Sequence, residues 1–163
     1  MKPLMILVVM ALIVFAVYLL PLTPQPVGNN LSSPPPAASP VVVFQTGQGN
    51  VTVSVEIADT QQEWERGLMG RTALPENSGM IFVFPQDRPQ TFWMKDTLIP
   101  LDIVFVSSSL EIVDIKQQFQ PCQHDPCETY TARDAARYVI EVNGGFASRH
   151  RAATGDHMFL KLA

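Results

Sequence analysis

The feature that most constrains this chain is a succession of short apolar runs, each bounded by turn-forming residues. In the clearest, residues 51–58 (VTVSVEIA), apolar side chains alternate with polar ones. Alternation with a period of two predicts a strand with one buried face. Similar runs occupy residues 41–45, 79–85, 91–95, 101–107, 110–116, 137–143 and 157–162. We therefore expect a mainly β fold, either a β-sandwich or a partly closed β-barrel.

Two helical segments interrupt the strands. In the sequence DTQQEWERGLMG, Thr60 and Glu63 have the spacing of a capping box, which predicts a short helix over residues 61–68. A second helical turn is expected over residues 144–151, and we expect Asn143 to cap it. The domain should therefore contain one or two short helices beside its strands.

The first 22 residues are strongly apolar. An unbroken apolar run of 17 residues extends from Leu4 to Leu20, and Lys2 is the one charged residue in this segment. At about 1.5 Å per residue, a helix of this length spans roughly 25 Å, near the lower limit for crossing a bilayer. The run ends in leucines and prolines instead of the small residues of a cleavage site, which favours a retained anchor over a cleaved signal peptide. We predict an N-terminal transmembrane helix within residues 1–22, outside the folded domain.

A proline-rich linker follows the apolar segment. Residues 21–40 contain seven prolines and no charge, a composition that favours extended, semi-rigid chain. We divide the chain into an anchor or signal segment (1–22), a linker (23–40) and a β domain (41–163). Because Lys2 precedes the apolar run and no other basic residue occurs before Arg66, the domain is expected outside the cytoplasm, periplasmic or extracellular.

The charge balance bears on the partners. After residue 40 the chain carries 10 basic and 15 acidic residues, a net charge of −5. Nucleic-acid-binding proteins usually present a basic patch, and none is visible here. We therefore expect as partners the membrane and either an unknown small ligand or a protein, and no nucleic acid.

The two cysteines lie close together in the sequence PCQHDPCETY. In an exported domain, Cys122 and Cys127 are expected to form a disulfide, and the preceding prolines favour the necessary bends. A metal site that also uses His124 and Asp125 is an alternative, although zinc sites usually have a second Cys/His cluster. Free thiols are the third possibility. We favour the disulfide and assign no metal and no cofactor.

The most apolar part of the domain, residues 91–106, contains three charged residues, Lys95, Asp96 and Asp102. Burial of an unpaired charge costs several kcal/mol, so each of these side chains needs a partner or access to water. Asp102 alternates with its apolar neighbours in a way that points it toward the core. The pattern therefore predicts either a structural network, with Asp96 as a turn residue, or the polar floor of a ligand pocket.

Four further residues are candidates for the same pocket. Arg66 and Arg71 bracket a short glycine-containing loop and offer planar guanidinium groups to carboxylates, either those of a ligand or those of the fold. Trp93 could stack on a ring, although a core position is the simpler expectation. Glu141 is expected to face outward by alternation, with burial beside an Arg or Lys as the alternative.

The order of motifs resembles the DUF192 family. The resemblance rests on IADTQQEWERGLMGRTALPENSGMIFVFP, FWMKDTLIPLDIVFV, YVIEVNGGFASRH and TGD, and it extends from about Val51 to the C-terminus. It implies a compact β-rich sandwich or barrel, commonly with an export signal or lipid anchor, and no known reaction. One position departs from the family, which usually has Asn where this chain has Asp96.

The sequence contains no recognisable catalytic template. We expect an exported, membrane-tethered domain that binds a small molecule or short polymer through Arg66, Arg71, Trp93, Lys95, Asp96, Asp102 and Glu141. An interaction or accessory domain whose charges are structural is the alternative. A hydrolase using Asp96 and Asp102 is a weaker one, so enzymatic activity is left open.

Overall fold

The computed structural model describes residues 39–161. These residues form nine strands and two short helices. The strands are β1 Val41–Thr46, β2 Gly49–Ala58, β3 Ser78–Arg88, β4 Thr91–Trp93, β5 Leu101–Val106, β6 Ile112–Phe119, β7 Thr129–Thr131, β8 Ala136–Asn143 and β9 His157–Lys161. The helices are α1 Gln61–Arg66 and α2 Phe146–His150. The mainly β fold predicted from the alternating runs is confirmed, and β7 is an additional strand that the sequence did not predict.

Seven strands make one sheet in the order β6-β5-β8-β3-β2-β1-β9, and β4 pairs with β7 in a separate two-stranded sheet. All neighbours in the large sheet are antiparallel except β2 and β3, which are parallel. Parallel strands need a crossover connection. Here the crossover is residues 59–77, which contain α1.

The large sheet curls into a half-barrel, and its two edges meet at one end. Glu111, just before β6, forms an antiparallel bridge with His157 at the start of β9. The Met158 N–H donates to the Leu110 carbonyl at 2.8 Å, and the Ile112 N–H donates to the Asp156 carbonyl at 2.8 Å. Of the two architectures expected from the sequence, the partly closed barrel describes this sheet.

The sheet is covered on both faces, which is why all six residues of β5 are buried. Val104 and Val106 point into the curl, where they pack with side chains from most other strands and with Phe146 of α2. Ile103 and Phe105 point to the outer face, where they pack under the crossover and the β4–β7 sheet. An inner core and an outer core thus lie back to back across one layer of strands.

Local sequence explains where α1 begins. Its capping box is present: Thr60 accepts from the Glu63 N–H, and the Glu63 carboxylate accepts from the Thr60 N–H at 3.1 Å. The expectation that Asn143 caps the second helix was wrong. Its side-chain amide instead donates to the carbonyls of Leu74 and Pro75 at 2.9 and 3.0 Å, which ties the crossover to β8.

The region after β6 contains the disulfide between Cys122 and Cys127, whose Cα atoms are 5.7 Å apart. Within residues 39–161 there is no helix long and apolar enough to span a bilayer. The predicted transmembrane helix and most of the predicted linker lie outside the described residues.

Candidate functional site

The crossover forms a roof over the outer face of β3 and β8. Helix α1 ends at Arg66, and the chain turns at Gly67 with φ +45° and ψ −134°, a conformation that residues with a Cβ rarely adopt. A Cβ on Gly67 would lie 3.3 Å from Cζ of Phe82 and 3.6 Å from Oε2 of Glu141. Glycine therefore lets the loop lie directly on the Glu141 carboxyl.

Glu141 lies at the floor of the resulting pocket. Its backbone is in β8 between β3 and β5, opposite Met80 and Ile103, so its side chain points into the outer core. The residue is 5% exposed, and its Oε2 atom has no hydrogen-bond partner among residues 39–161. Burial raises the pKa of this carboxyl to about 8, so it is mostly protonated at neutral pH. The expectation that Glu141 faces outward was wrong, because β8 is covered on both faces.

The pocket above this carboxyl, called the Glu141 pocket below, is lined by Trp64, Glu65, Arg66, Gly67, Leu68, Met69, Phe82, Phe92, Trp93, Lys95, Thr97 and Glu141. Its cavity volume is about 20 Å³. A single water needs roughly 10–15 Å³ measured in this way. The pocket is therefore narrow and admits a group about the size of one water molecule.

One wall of the pocket is held in place by the disulfide loop. The backbone of Lys95 forms an isolated β-bridge with that of Cys122. Its ammonium lies 2.9 Å from Oδ2 of Asp125, a residue inside the loop that the disulfide closes. The hydrogen bond and the negative charge of Asp125 raise the pKa of Lys95. The same ammonium lies 5.4 Å from the centre of the Trp93 ring, and Trp93 is 44% exposed. Trp93 is thus presented to solvent, in contrast to the simpler expectation of a core residue.

Two wider grooves share lining residues with the Glu141 pocket. The first, the Arg71 groove, has a volume of about 320 Å³ and is lined by Glu56, Ile57, Glu63, Arg66, Gly67, Met69, Arg71 and Met80. The second, the Arg88 groove, has a volume of about 440 Å³ and is lined by Gln61, Trp64, Glu65, Phe84, Arg88, Pro89, Gln90, Thr91, Phe92 and Trp93. The Glu141 pocket shares Arg66, Gly67 and Met69 with the first groove and Trp64, Glu65, Phe92 and Trp93 with the second, and the three are together called the track below.

The two arginines at this track differ in their partners. The Arg71 guanidinium forms an ion pair with Glu56 on β2, and both side chains are substantially exposed. Arg66 lines both the Glu141 pocket and the Arg71 groove. Within the described part of the chain, its guanidinium has no ion pair closer than 4.0 Å.

Asp102 lies away from this track. Its carboxylate points into the inner core, where it accepts hydrogen bonds from the N–H groups of Gln118, Gly145 and Ala147 at 2.8, 2.9 and 2.8 Å. The residue is fully buried. Asp102 therefore stabilises the start of α2 and the end of β6, and its partners are backbone groups in place of the Lys or Arg considered from sequence.

Asp96 is an exposed turn residue. Its φ of +53° lies in the left-handed region, which Asn, Asp and Gly adopt most readily. Its N–H donates to the Cys122 carbonyl, and its carbonyl accepts from the Gly70 N–H, both at 2.8 Å. Asn, which the resemblance implies at this position, adopts the same left-handed region readily. Neither Asp96 nor Asp102 is among the residues that line the Glu141 pocket.

The structure thus brings four of the seven candidate ligand residues together, Arg66, Trp93, Lys95 and Glu141. Sequence reasoning missed Gly67 as the roof and Asp125 as the partner of Lys95. It also missed Asp114, a buried carboxylate that accepts from the Tyr130 hydroxyl at 2.7 Å and anchors β7 to β6. The glycine that opens GLMG was the one available signal, because glycine is the usual residue where the backbone is strained or lies close to a neighbour.

The fold and the pocket define a compact β domain with a half-barrel sheet and a crossover that roofs a buried acid. The family profile of DUF192, described as "Uncharacterized ACR, COG1430", matches residues 42–160. The chain belongs to this family, which confirms the resemblance drawn from its motifs.

Three relatives illustrate the similarity. A UPF0127 protein of Thermococcus sibiricus (strain DSM 12597 / MM 739) is 30% identical over 109 residues, which make up 66% of each chain. A protein of unknown function from Novosphingobium aromaticivorans DSM 12444 has a crystal structure that matches with a TM-score of 0.69 at 34% identity, covering 73% of this chain and 83% of that one. A Sinorhizobium meliloti 1021 protein, described as a "putative transcription regulator", matches with a TM-score of 0.70 at 31% identity, covering 76% of this chain and 95% of that one.

Proposed function

We propose that this chain is an exported, membrane-tethered binding module that holds a small molecule or a short polymer along the track around α1. The apolar run of residues 4–20 and the proline-rich linker support the tether and the location outside the cytoplasm. The two wider grooves support an elongated ligand, because each has a volume within the range of small-molecule sites, about 300–1,000 Å³.

The observation that carries the proposal is the Glu141 carboxyl. Buried polar atoms are nearly always hydrogen-bonded, and leaving one unpaired costs about 1–3 kcal/mol. Oε2 of Glu141 has no hydrogen-bond partner in the part of the chain that the structure describes, although it borders a pocket that is reachable from solvent beside the exposed indole of Trp93. By contrast, the structural carboxylate of Asp102 accepts hydrogen bonds from three backbone N–H groups. A bound ligand would supply the missing partner.

A thermal-shift screen of the full chain in mild detergent tests the proposal. Metabolites, sugars and short polymers are compared on the wild type and on Glu141→Gln and Trp93→Ala variants. We expect at least one compound to raise the Tm of the wild type and to raise that of the variants less. Asp134→Asn, an exposed substitution outside the track, is the control and should respond like the wild type. A ligand that raises the Tm of all four proteins equally would show that it binds outside the track.

An accessory role through protein docking is the second candidate function. Trp93 and Leu98 are 44% and 39% exposed, and large apolar side chains on the surface are frequent at interfaces. Crosslinking in membranes with a photoreactive residue at Leu98 tests this role, and a single specific adduct would favour it. The net charge of −5 after residue 40 argues against nucleic acid as the partner.

A further inference from the structure

Resting on the proposed function, we infer that the Glu141 pocket recognises a primary ammonium group, carried on an unbranched alkyl stem that leaves along one of the wider grooves. The ligand class is therefore a small alkylamine or a molecule with an aminoalkyl arm. Four properties of the pocket lead to this class.

The first property is the missing partner. The Oε2 atom of Glu141 is buried and accepts no hydrogen bond from any described residue, while the Gly67 loop closes over it. An ammonium provides three N–H donors and a compensating charge, so it satisfies an ionised carboxylate better than any neutral group. Burial raises the pKa of Glu141 to about 8, so at neutral pH the protonated form is favoured only about tenfold, a margin that one charge pair can reverse.

The second property is size. With a cavity volume of about 20 Å³, the pocket accommodates one group comparable to a water molecule. The –NH₃⁺ head of an alkylamine is of this size. A carboxylate, a phosphate or a guanidinium has several heavy atoms around its centre and requires the walls to move.

The third property is the aromatic wall. Phe82, Phe92 and Trp93 line the pocket, and the Phe82 and Phe92 rings pack edge-to-face with centroids 5.0 Å apart. Aromatic rings attract cations through their quadrupole, and the attraction grows as water is excluded. The rings also pack against a methylene stem, so both parts of an alkylamine are matched.

The fourth property is the local charge. The other charged groups that line the pocket with Glu141 are Glu65 and Arg66 from α1 and Lys95 from the segment after β4. Lys95 is neutralised by Asp125 at 2.9 Å, whereas Arg66 has no ion pair within residues 39–161. Neither of the two cations that line the pocket therefore supplies, within the described residues, the partner that the Glu141 carboxyl lacks. Arg66 remains free to bind an acidic group at the other end of a longer ligand.

Isothermal titration calorimetry of the full chain in mild detergent tests the inference, with n-butylamine as the probe and n-butanol and butyrate as matched controls. We expect n-butylamine to bind and both controls to bind at least tenfold more weakly. Glu141→Gln should weaken amine binding at least tenfold, while Asp134→Asn leaves it unchanged. Because the substituted glutamine side chain has no charge to desolvate, the variant should fold at least as well as the wild type.

A second readout separates charge pairing from simple occupancy. Forming the pair makes Glu141 give up its proton, so titrations in two buffers of different ionisation enthalpy should show release of most of a proton per amine at about pH 7 and much less at about pH 9. Release should be absent in Glu141→Gln. A bound water in place of a ligand would give no amine binding and no proton release.

The outcomes distinguish this inference from the proposed function. If butyrate binds better than the amine, or if the amine binds Glu141→Gln as well as the wild type, the ammonium assignment is wrong while a binding role stands. If the amine fails but another compound from the screen binds through Glu141, the ligand class is again wrong. If no compound depends on Glu141, both proposals fail.

Discussion

The unpaired carboxyl of Glu141 makes a quantitative prediction about stability and pH. Its pKa is raised from 4.5 to about 8 by burial, so the folded protein retains a proton that the unfolded chain releases. The stability that this proton contributes is fully present below pH 4.5 and is lost as the pH rises through about 8. At roughly 1.36 kcal/mol per pH unit, the free energy of unfolding should fall by about 4 kcal/mol between about pH 5 and pH 9 through this residue alone.

Glu141→Gln removes the titrating group while nearly preserving its volume. Urea unfolding of the wild type and the variant at intervals from about pH 5 to pH 9 gives the difference in unfolding free energy directly. The three histidines and the neighbours Glu65, Arg66 and Lys95 are common to both proteins, so their direct contributions cancel to first order in the difference. We expect the variant to gain on the wild type steadily above about pH 5 and to level off above about pH 8.

A parallel pair of stability curves would refute this reasoning. It would mean that the folded carboxyl titrates near 4.5, and hence that water or an ionic partner reaches it in the ligand-free protein. The urea m-value provides the internal check, because an altered m-value would indicate a changed unfolded state in place of a changed pKa.

Substitutions at four other places test other parts of the structure. Asp102→Ala leaves three backbone N–H groups without their acceptor and should lower the unfolding free energy by about 3 kcal/mol or more in urea melts, with Asp102→Asn intermediate. Asp96→Gly should be neutral or stabilising by thermal melt, whereas Asp96→Val should cost about 1–2 kcal/mol at a φ of +53°. Replacing Cys122 and Cys127 by serine opens a loop with a sequence separation of 5 and should cost about 2 kcal/mol, with a loosened Lys95–Asp125 pair visible as faster proteolysis near residue 125. Gly67→Ala should destabilise by about 1–3 kcal/mol and reduce binding of any ligand that reaches Glu141.

Local patterns in the sequence determined most of the secondary structure. Alternation located β2, and the capping box located α1. These features depend on neighbours within a few residues, so they can be predicted from the sequence. The short β7 was missed because the three residues TYT are too few to establish an alternation, and its position depends on pairing with β4.

The site was less predictable, because it depends on which faces are covered. Alternation placed Glu141 and Ile140 on opposite faces of β8. It did not reveal that both faces are covered, the face of Glu141 by the crossover and the face of Ile140 by the curl of the sheet. The same limit applies to Asp102, whose burial was foreseen while its backbone partners, 16 to 45 residues away, were not. Pairings at such separations follow from topology and cannot be read from spacing.

The parallel pairing of β2 with β3 has an evolutionary consequence. Because these two strands are parallel, residues 59–77 must run from one end of the sheet to the other, and on the way they form the roof of the Glu141 pocket. The seven strands of the sheet can then keep their pairing while the crossover gains, loses or exchanges residues. Changes confined to this one segment would give relatives new ligand preferences. The strands would continue to hold the fold and would keep the buried acid in place.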